Sequence, residues 1–237
     1  MVPFRSRLVR IPAALLSWLL AVSLHAATTG SAEMEKNASL LIEQWLAKQT
    51  NIQTWQADVV QLRQYKTFAR PLSSSGKVWF EAPNNFRWEV GSPPVTIAIR
   101  KEEELNLLYP RLKRLETFRF DDSGKNEWKE SLSLLQAGFP RSRADLLAQF
   151  SISGLSLTND HHVLTLIPRA KMAMQYIPRV DLLIQTNSSE LAGTRLFFLD
   201  GSMIQNLFTN SVKNSPINRS LFEVGSVEGF KKSEPLK

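Results

Sequence analysis

Histidine and cysteine, which most often carry nucleophilic and metal chemistry, are scarce in this chain. Its 237 residues include three histidines and no cysteine. His161 and His162 are adjacent in a segment that reads as a turn between two strands, and neighbouring residues of a strand point to opposite faces. The pair therefore cannot hold one metal ion without a special bend. We expect no metal centre and no cofactor, and the lack of cysteine excludes thiol catalysis.

No arrangement typical of a catalytic or nucleotide-binding site occurs in the sequence. H-E-x-x-H, G-x-S-x-G, G-x-G-x-x-G and a phosphate-binding loop are all missing. A partial match, Gly154-x-Ser156, lacks the closing glycine and lies in a pattern typical of a strand. Acidic residues cluster at 102–104 and 121–122, a pattern typical of solvated turns. We expect that the protein is not an enzyme. An enzyme that uses a carboxylate pair on an acyl or glycan substrate stays an alternative.

The N-terminal stretch is typical of a secretory signal peptide. Residues 1–10 contain three arginines and no acid, and residues 11–24 form an almost uncharged apolar run. That run is shorter than the roughly 20 apolar residues of a membrane span, and a small residue, Ala26, ends the stretch. We predict that residues 1–26 are a signal peptide and that 27–237 form one domain. An uncleaved N-terminal anchor is the alternative.

Charge and cysteine content together suggest where the protein works. The net charge of +7 falls to about +4 without the three arginines of residues 1–26, which is too mild and scattered to predict nucleic-acid binding. An exported chain without cysteine has no disulfides. It also cannot be anchored through a lipidated N-terminal cysteine. We therefore predict a free, soluble protein of the bacterial periplasm.

Short strands dominate the chain after its first fifty residues. Alternating apolar and polar residues predict ten or more strands, and turn signals such as Asn159-Asp160 and Asp200-Gly201 separate them. Residues 73–76 are predicted as a loop and 221–224 as the last strand. This order has no parallel βαβ rhythm. It predicts a mainly β protein whose sheet is strongly curved or forms a barrel.

Helical periodicity is confined to two places. Residues 33–48 carry leucine and tryptophan on one side, which predicts a helix at the start of the domain. Residues 128–139 and 142–150 predict a pair of helices in the middle, separated by Pro140. Ser142-x-x-Asp145 resembles a capping box and marks the start of the second.

Motifs in the first third of the chain follow one another in a recognisable order. They are Trp55-x-Ala57-x-Val59-x-Gln61, Gly76-x-x-Trp79 and Pro83-Asn84-x-Phe86-x-Trp88. Weaker matches follow at Tyr109-Pro110, and at Leu221-Phe222-x-Val224 with Gly229 after it. Together they resemble the LolA family of periplasmic carriers of outer-membrane lipoproteins. The resemblance covers roughly residues 33–230 and is strongest in the first third.

The resemblance implies an unclosed, strongly curved antiparallel β-barrel with a helical lid over an apolar cavity. Acyl chains of lipoprotein cargo would lie in that cavity while the carrier crosses the periplasm. An ATP-driven inner-membrane complex would load the carrier and an outer-membrane acceptor would unload it. We expect a monomer.

Large apolar side chains on the predicted strands are candidates for the wall of that cavity. Alternation alone does not distinguish a cavity wall from a packed core, and a large or unclosed barrel can enclose a ligand. From the shared faces and the hairpin motif, the predicted wall residues are Phe86, Trp88, Ile97, Ile99, Leu107 and Tyr109. The predicted lid residues are Leu132, Leu135 and Phe139.

The sequence departs from the family pattern at two positions. Ala82 stands where well-known members carry an arginine that holds the lid closed and takes part in cargo release, and Arg87 is the nearby candidate to replace it. Residues 101–104, Lys-Glu-Glu-Glu, replace the usual Asp-Gly turn. These departures favour, as an alternative, a LolA-like carrier of another lipid or of an acylated or polyene product. An interaction module without a ligand is a further alternative.

Overall fold

The computed structural model describes residues 16–119, 140 and 142–233. The helices in these ranges are α1 (Leu16–Gln49), α2 (Arg143–Gln149) and α3 (Lys171–Tyr176). Short 3-10 turns lie at Pro110–Leu112 and Arg219–Phe222. The strands are β1 (Thr54–Gln64), β2 (Leu72–Glu81), β3 (Asn85–Val90), β4 (Thr96–Lys101), β5 (Glu104–Tyr109), β6 (Arg114–Arg119), β7 (Phe150–Leu157), β8 (His161–Pro168), β9 (Arg179–Gln185), β10 (Leu191–Phe197), β11 (Met203–Lys213) and β12 (Lys231–Ser233).

All twelve described strands belong to one curled sheet. Its order is β12-β6-β5-β4-β3-β2-β1-β11-β10-β9-β8-β7, so β12 and β7 form its two edges and the barrel is unclosed. Neighbouring strands are antiparallel except for β12 and β6, which run parallel. The predicted unclosed, curved antiparallel sheet is confirmed. The short parallel edge is an addition that the sequence pattern did not indicate.

The alternating side chains of β1 define the two faces of the sheet. Trp55, Ala57 and Val59 are buried on one face, which we call the inner face; the opposite one is the outer face. α1 covers the inner face of β7 to β10, where its Ile42 and Trp45 lie in one buried cluster with strand residues such as Leu182. Each such side chain contributes about 1.5–3 kcal/mol by leaving water. This half of the sheet is therefore a conventional packed core.

A C-terminal segment covers part of the outer face. Val224, Val227 and Phe230 pack against a buried cluster that includes Ile99 and Leu115 of the sheet. The prediction that residues 221–224 form a strand is wrong. A 3-10 turn replaces the start of that strand, because the Asn218 side chain accepts a hydrogen bond from the Ser220 N–H (3.0 Å) and fixes the backbone locally.

Helix starts and ends differ in how well the sequence indicated them. α1 begins at Leu16 and runs unbroken into the predicted 33–48 helix, across a leucine- and alanine-rich stretch of high helix propensity. The second helix of the predicted pair is confirmed as α2, and the Ser142 hydroxyl accepts from the Asp145 N–H at 3.1 Å. Its partner at 128–139 lies outside the described residues. Among the described helices, none has both the length and the apolar character needed to cross a membrane.

Residues 73–76 form part of β2, so their prediction as a loop is wrong. The register places Gly76 directly opposite Val59 of β1 and Val90 of β3. A Cβ atom at Gly76 would lie 2.0 Å from the backbone oxygen of Glu89. The glycine is therefore required by the close approach of β3 and does not mark a turn.

Candidate functional site

The inner face of β1 to β6 presents two apolar cross-strand rows. Directly paired residues of an antiparallel ladder share a face, so the register identifies each row. The first contains Trp55, Phe80, Phe86, Arg100, Leu105 and Phe118. The second contains Ala57, Val78, Trp88, Ala98, Leu107 and Glu116. Together they form a continuous apolar surface across six strands, with one charged residue in each row.

Four of the six predicted wall residues lie on this surface. Phe86, Trp88 and Leu107 belong to the two rows and are half-buried. Tyr109 follows Leu107 on the same face, and the guanidinium of Arg114 lies 4.3 Å from its ring centre. By contrast, the strand leucines that belong to the buried cluster under α1 are shielded from solvent. The inner face of β3 to β5 therefore keeps apolar side chains partly accessible.

Ile97 and Ile99 lie on the outer face, so the six predicted wall residues do not share one face. Ile97 pairs with Glu89, and Ile99 pairs with Arg87. Both isoleucines pack under the C-terminal segment. The connection from β3 to β4 sets the register of the two strands, and the register decides which of their residues share a face. Alternation within each strand alone could not indicate this register.

An aromatic cluster forms the floor of the apolar surface near β1. Phe208 of β11 contacts Trp55 edge-on at 5.2 Å and Trp88 at 5.8 Å, measured between ring centres. Such pairs add about 0.5–1.5 kcal/mol beyond their buried area. Phe208 was missed as a site residue because β11 is distant in sequence and joins β1 only through the sheet.

The two tryptophans of this cluster differ in how their indole groups are satisfied. Trp55 Nε1 donates to the Ser211 hydroxyl. Trp88 Nε1 is buried and has no hydrogen-bond partner within the described residues. A buried donor without an acceptor costs about 1–3 kcal/mol. The Trp88 N–H is therefore available to an acceptor that reaches this face.

Polar side chains border the apolar surface at the far end of β1. Gln61 Nε2 donates to Asn206 Oδ1 at 3.0 Å, and Asn206 Nδ2 donates to Thr194 Oγ1 at 3.2 Å. Arg63 Nε donates to Gln61 Oε1 at 2.8 Å. Gln61 and Asn206 are only 7% and 2% exposed. Gln61 belongs to the motif of the first strand, but the sequence gives no signal for this network because Asn206 and Thr194 are distant along the chain.

Arg87, the candidate to replace the arginine that the family pattern places at position 82, is held by two polar contacts. Its side chain lies on the outer face, where Nε is 2.6 Å from the Glu89 carboxylate and Nη1 donates to the Leu221 carbonyl at 3.0 Å. Arg100, opposite Phe86, is an arginine that the register does place on the inner face. Its Nε donates to the Glu102 carbonyl at 3.2 Å.

The groups with shifted pKa values are engaged in structural contacts away from the inner face. A hydrogen bond from Asn210, with a further one from Lys77, lowers the pKa of Asp58. A hydrogen bond to Glu223 raises the pKa of Lys101. Both groups lie on the outer side of the sheet and belong to no acid–base pair on the inner face.

The two adjacent histidines open β8 and do not form a turn. His161 pairs with Gln185 and His162 pairs with Ile184, so they point to opposite faces as predicted. Within the described ranges, no group of three or more His, Cys, Asp or Glu side chains is arranged to hold a metal ion. The predicted lid residues Leu132, Leu135 and Phe139 lie outside those ranges.

Comparison with known protein families assigns this chain to one of them. Residues 50–225 match the family model described as outer membrane lipoprotein carrier protein LolA. The chain belongs to the LolA family. The match begins four residues before β1 and ends after the 3-10 turn at Arg219–Phe222, so it includes both apolar rows of this LolA-family sheet. No curated protein sequence matches the chain.

Several solved structures resemble this LolA-family chain at low sequence identity. An uncharacterized conserved protein from Thermus thermophilus is 10% identical, with a TM-score of 0.48 over 84% of this chain and 99% of that chain. A LolA superfamily protein from Nitrosomonas europaea is 10% identical, with a TM-score of 0.40 over 78% and 96%. The lipoprotein LppX from Mycobacterium tuberculosis is 10% identical, with a TM-score of 0.37 over 77% and 98%.

Proposed function

We propose that this protein is a periplasmic carrier that shields the acyl chains of outer-membrane lipoproteins and moves them from the inner to the outer membrane. The acyl chains lie on the inner face of β1 to β6. The observation that carries the proposal is the apolar surface on which Phe86, Trp88 and Leu107 stay half-buried, within a chain of the LolA family.

The energetics of acyl chains require such a carrier. Each CH₂ group exposed to water costs about 0.8 kcal/mol, so a lipoprotein with several long chains does not cross an aqueous compartment alone. The aromatic floor around Phe208 and the leucines of the rows offer apolar contact along the chains. Because the cargo must also leave, a partly accessible surface suits the task better than a fully enclosed core.

The remaining parts of the proposal follow from this role. Residues 1–26 export the chain and are removed, and 27–237 act as a single monomeric carrier domain. An ATP-driven inner-membrane complex loads the carrier, and an outer-membrane acceptor receives the cargo. The protein performs no chemical step on the cargo, and it needs no cofactor.

A charged substitution on the inner face tests this proposal. We expect Leu107→Glu to abolish displacement of bis-ANS by a diacylated lipopeptide, because the carboxylate would have to be buried under the acyl chains. Leu157→Glu is the matched control, since Leu157 lies in β7 and is 67% exposed. Unchanged lipopeptide binding by folded Leu107→Glu protein would contradict the proposed site.

A carrier of a different lipid is the second candidate function. Two observations favour it: Ala82 occupies the position of the family's lid-holding arginine, and Arg87 is engaged on the outer face with Glu89. Mass spectrometry of lipid that co-purifies from the periplasm separates the candidates. Triacylated protein supports lipoprotein transport, and a free lipid or polyene product supports the second function.

A further inference from the structure

We propose that Arg63 binds an anionic group, a carboxylate or a phosphate, at the polar end of the acyl cargo. This inference rests on the proposed function and adds a class of cargo to it: amphiphiles whose chain ends in a negative charge. The position of Arg63, the buried network that holds it and its lack of an acidic partner among the described residues carry the inference.

Arg63 lies on the inner face, in line with the residues of the apolar surface. It alternates with Trp55, Ala57, Val59 and Gln61 along β1, and it bonds Gln61, two residues away. Arg63 lies eight positions after Trp55, which corresponds to about 26 Å at roughly 3.3 Å per residue. The inner face thus runs from an aromatic end to a cationic end over a length that suits a long-chain amphiphile.

A buried polar network fixes the orientation of the guanidinium. Arg63 Nε donates to the side chain of Gln61, which is itself held by Asn206, and Asn206 in turn donates to Thr194. Gln61 and Asn206 are buried on the inner face. Because Nε is used in this bond, the two Nη groups keep their donors for another acceptor.

The absence of an acidic partner within the described residues separates Arg63 from three other arginines of the sheet. Arg87, Arg114 and Arg179 each contact a carboxylate two residues away on the same strand. Within the described residues Arg63 has no such salt bridge, and its side chain is half-buried. A half-buried cation beside apolar surface gains most from an anion that completes its coordination, and a guanidinium matches carboxylate and phosphate oxygens as a fork.

The test compares ligands that share one chain and differ in the head group. Hexadecanoate, hexadecyl phosphate and hexadecanol are titrated against bis-ANS bound to the full mature chain. We expect one or both anions to bind about tenfold or more tighter than the alcohol, since a hydrogen-bonded charge pair contributes on that scale. We expect Arg63→Gln to remove this preference and to leave hexadecanol binding unchanged.

Arg195→Gln is the matched control. Arg195 Nε donates to Gln205 Oε1 at 3.1 Å, which reproduces the bond of Arg63 to a glutamine. Arg195 differs in position, because the strand register places it on the outer face, opposite Asp181 and Gln205. We expect this variant to keep the preference for the anions. An equal loss in both variants would overturn the role of Arg63.

The remaining outcomes are also decisive. Equal binding of all three ligands to the wild-type chain overturns the inference even if Arg63→Gln fails to fold, while the proposed apolar site stands. If none of the three binds, the proposed function fails together with the inference. Inorganic phosphate, which has no chain, should not compete with hexadecanoate; competition would make this a site for free anions and overturn the assignment to amphiphiles.

Discussion

Leu107→Ala and Ile99→Ala should separate binding from stability, because the two residues lie on opposite faces of neighbouring strands. Ile99 is 1% exposed and belongs to the buried cluster under the C-terminal segment. Leu107 is half-buried on the inner face, beside Leu105 and Phe118.

The magnitudes follow from burial. Truncating a fully buried isoleucine to alanine costs about 2–5 kcal/mol, because a cavity adds to the lost transfer energy. A half-buried leucine loses roughly half of the 1.5–3 kcal/mol that full burial contributes, or about 1 kcal/mol. We therefore expect Ile99→Ala to lower the free energy of unfolding at least twice as much as Leu107→Ala does.

Urea unfolding of the mature chain, with titration of a diacylated lipopeptide against bis-ANS, measures both effects. Leu107→Ala should weaken lipopeptide binding by about three- to tenfold, since about 1 kcal/mol of apolar contact corresponds to that range. Ile99→Ala should leave the affinity of the folded protein unchanged. The reasoning would be refuted if Ile99→Ala weakened binding while the unfolding free energy stayed at the wild-type value.

Three further predictions address the sheet and its polar groups. Gly76→Ala should lower the free energy of unfolding by about 1–3 kcal/mol in urea denaturation, because its Cβ would overlap the backbone of β3; an unchanged midpoint would contradict the register. Trp88→Phe should cost less than about 1 kcal/mol, since removing a buried donor without a partner offsets part of the lost packing; a loss above about 3 kcal/mol would show that the N–H is engaged. The pKa of Asp58 is lowered from 3.8 by hydrogen bonds from Asn210 and Lys77, so its stabilising contribution is present above pH 3.8 and disappears as the pH falls through the lower folded value. Thermal unfolding from pH 5 to pH 2 should therefore show a smaller acid-induced loss for Asp58→Asn than for the wild type, and equal losses would exclude this contribution.

Local hydrogen bonding and alternation explain why much of the fold could be predicted from the sequence. The Ser142 cap of α2 depends on residues three positions apart, so its motif alone indicated the helix start. The alternation of Trp55, Ala57 and Val59 gave the buried face of β1 directly. The LolA-like motifs lie in the same region, which is why the unclosed sheet was correctly predicted.

Features that arise where one strand meets another could not be predicted from the sequence. Trp88 and Ile99 each lie in a clear alternating row, yet the register of β3 with β4 places them on opposite faces. Gly76 lies in a serine-rich stretch that resembles a loop, and its close contact with β3 exists only in the assembled sheet. The bond between Arg63 and the Gln61–Asn206 pair likewise depends on β11, far along the chain.

Site-specific photo-crosslinking in cells tests most directly the claim that acylated cargo lies on the inner face. A benzophenone amino acid replaces Leu107 on the inner face, and in a second variant it replaces Val60, which is exposed on the outer face of β1. We expect position 107 to form an adduct with an acylated species in the periplasm, and position 60 to form none. Adducts at position 60 alone, or no acylated adduct at position 107 in folded protein, would contradict the proposed binding site.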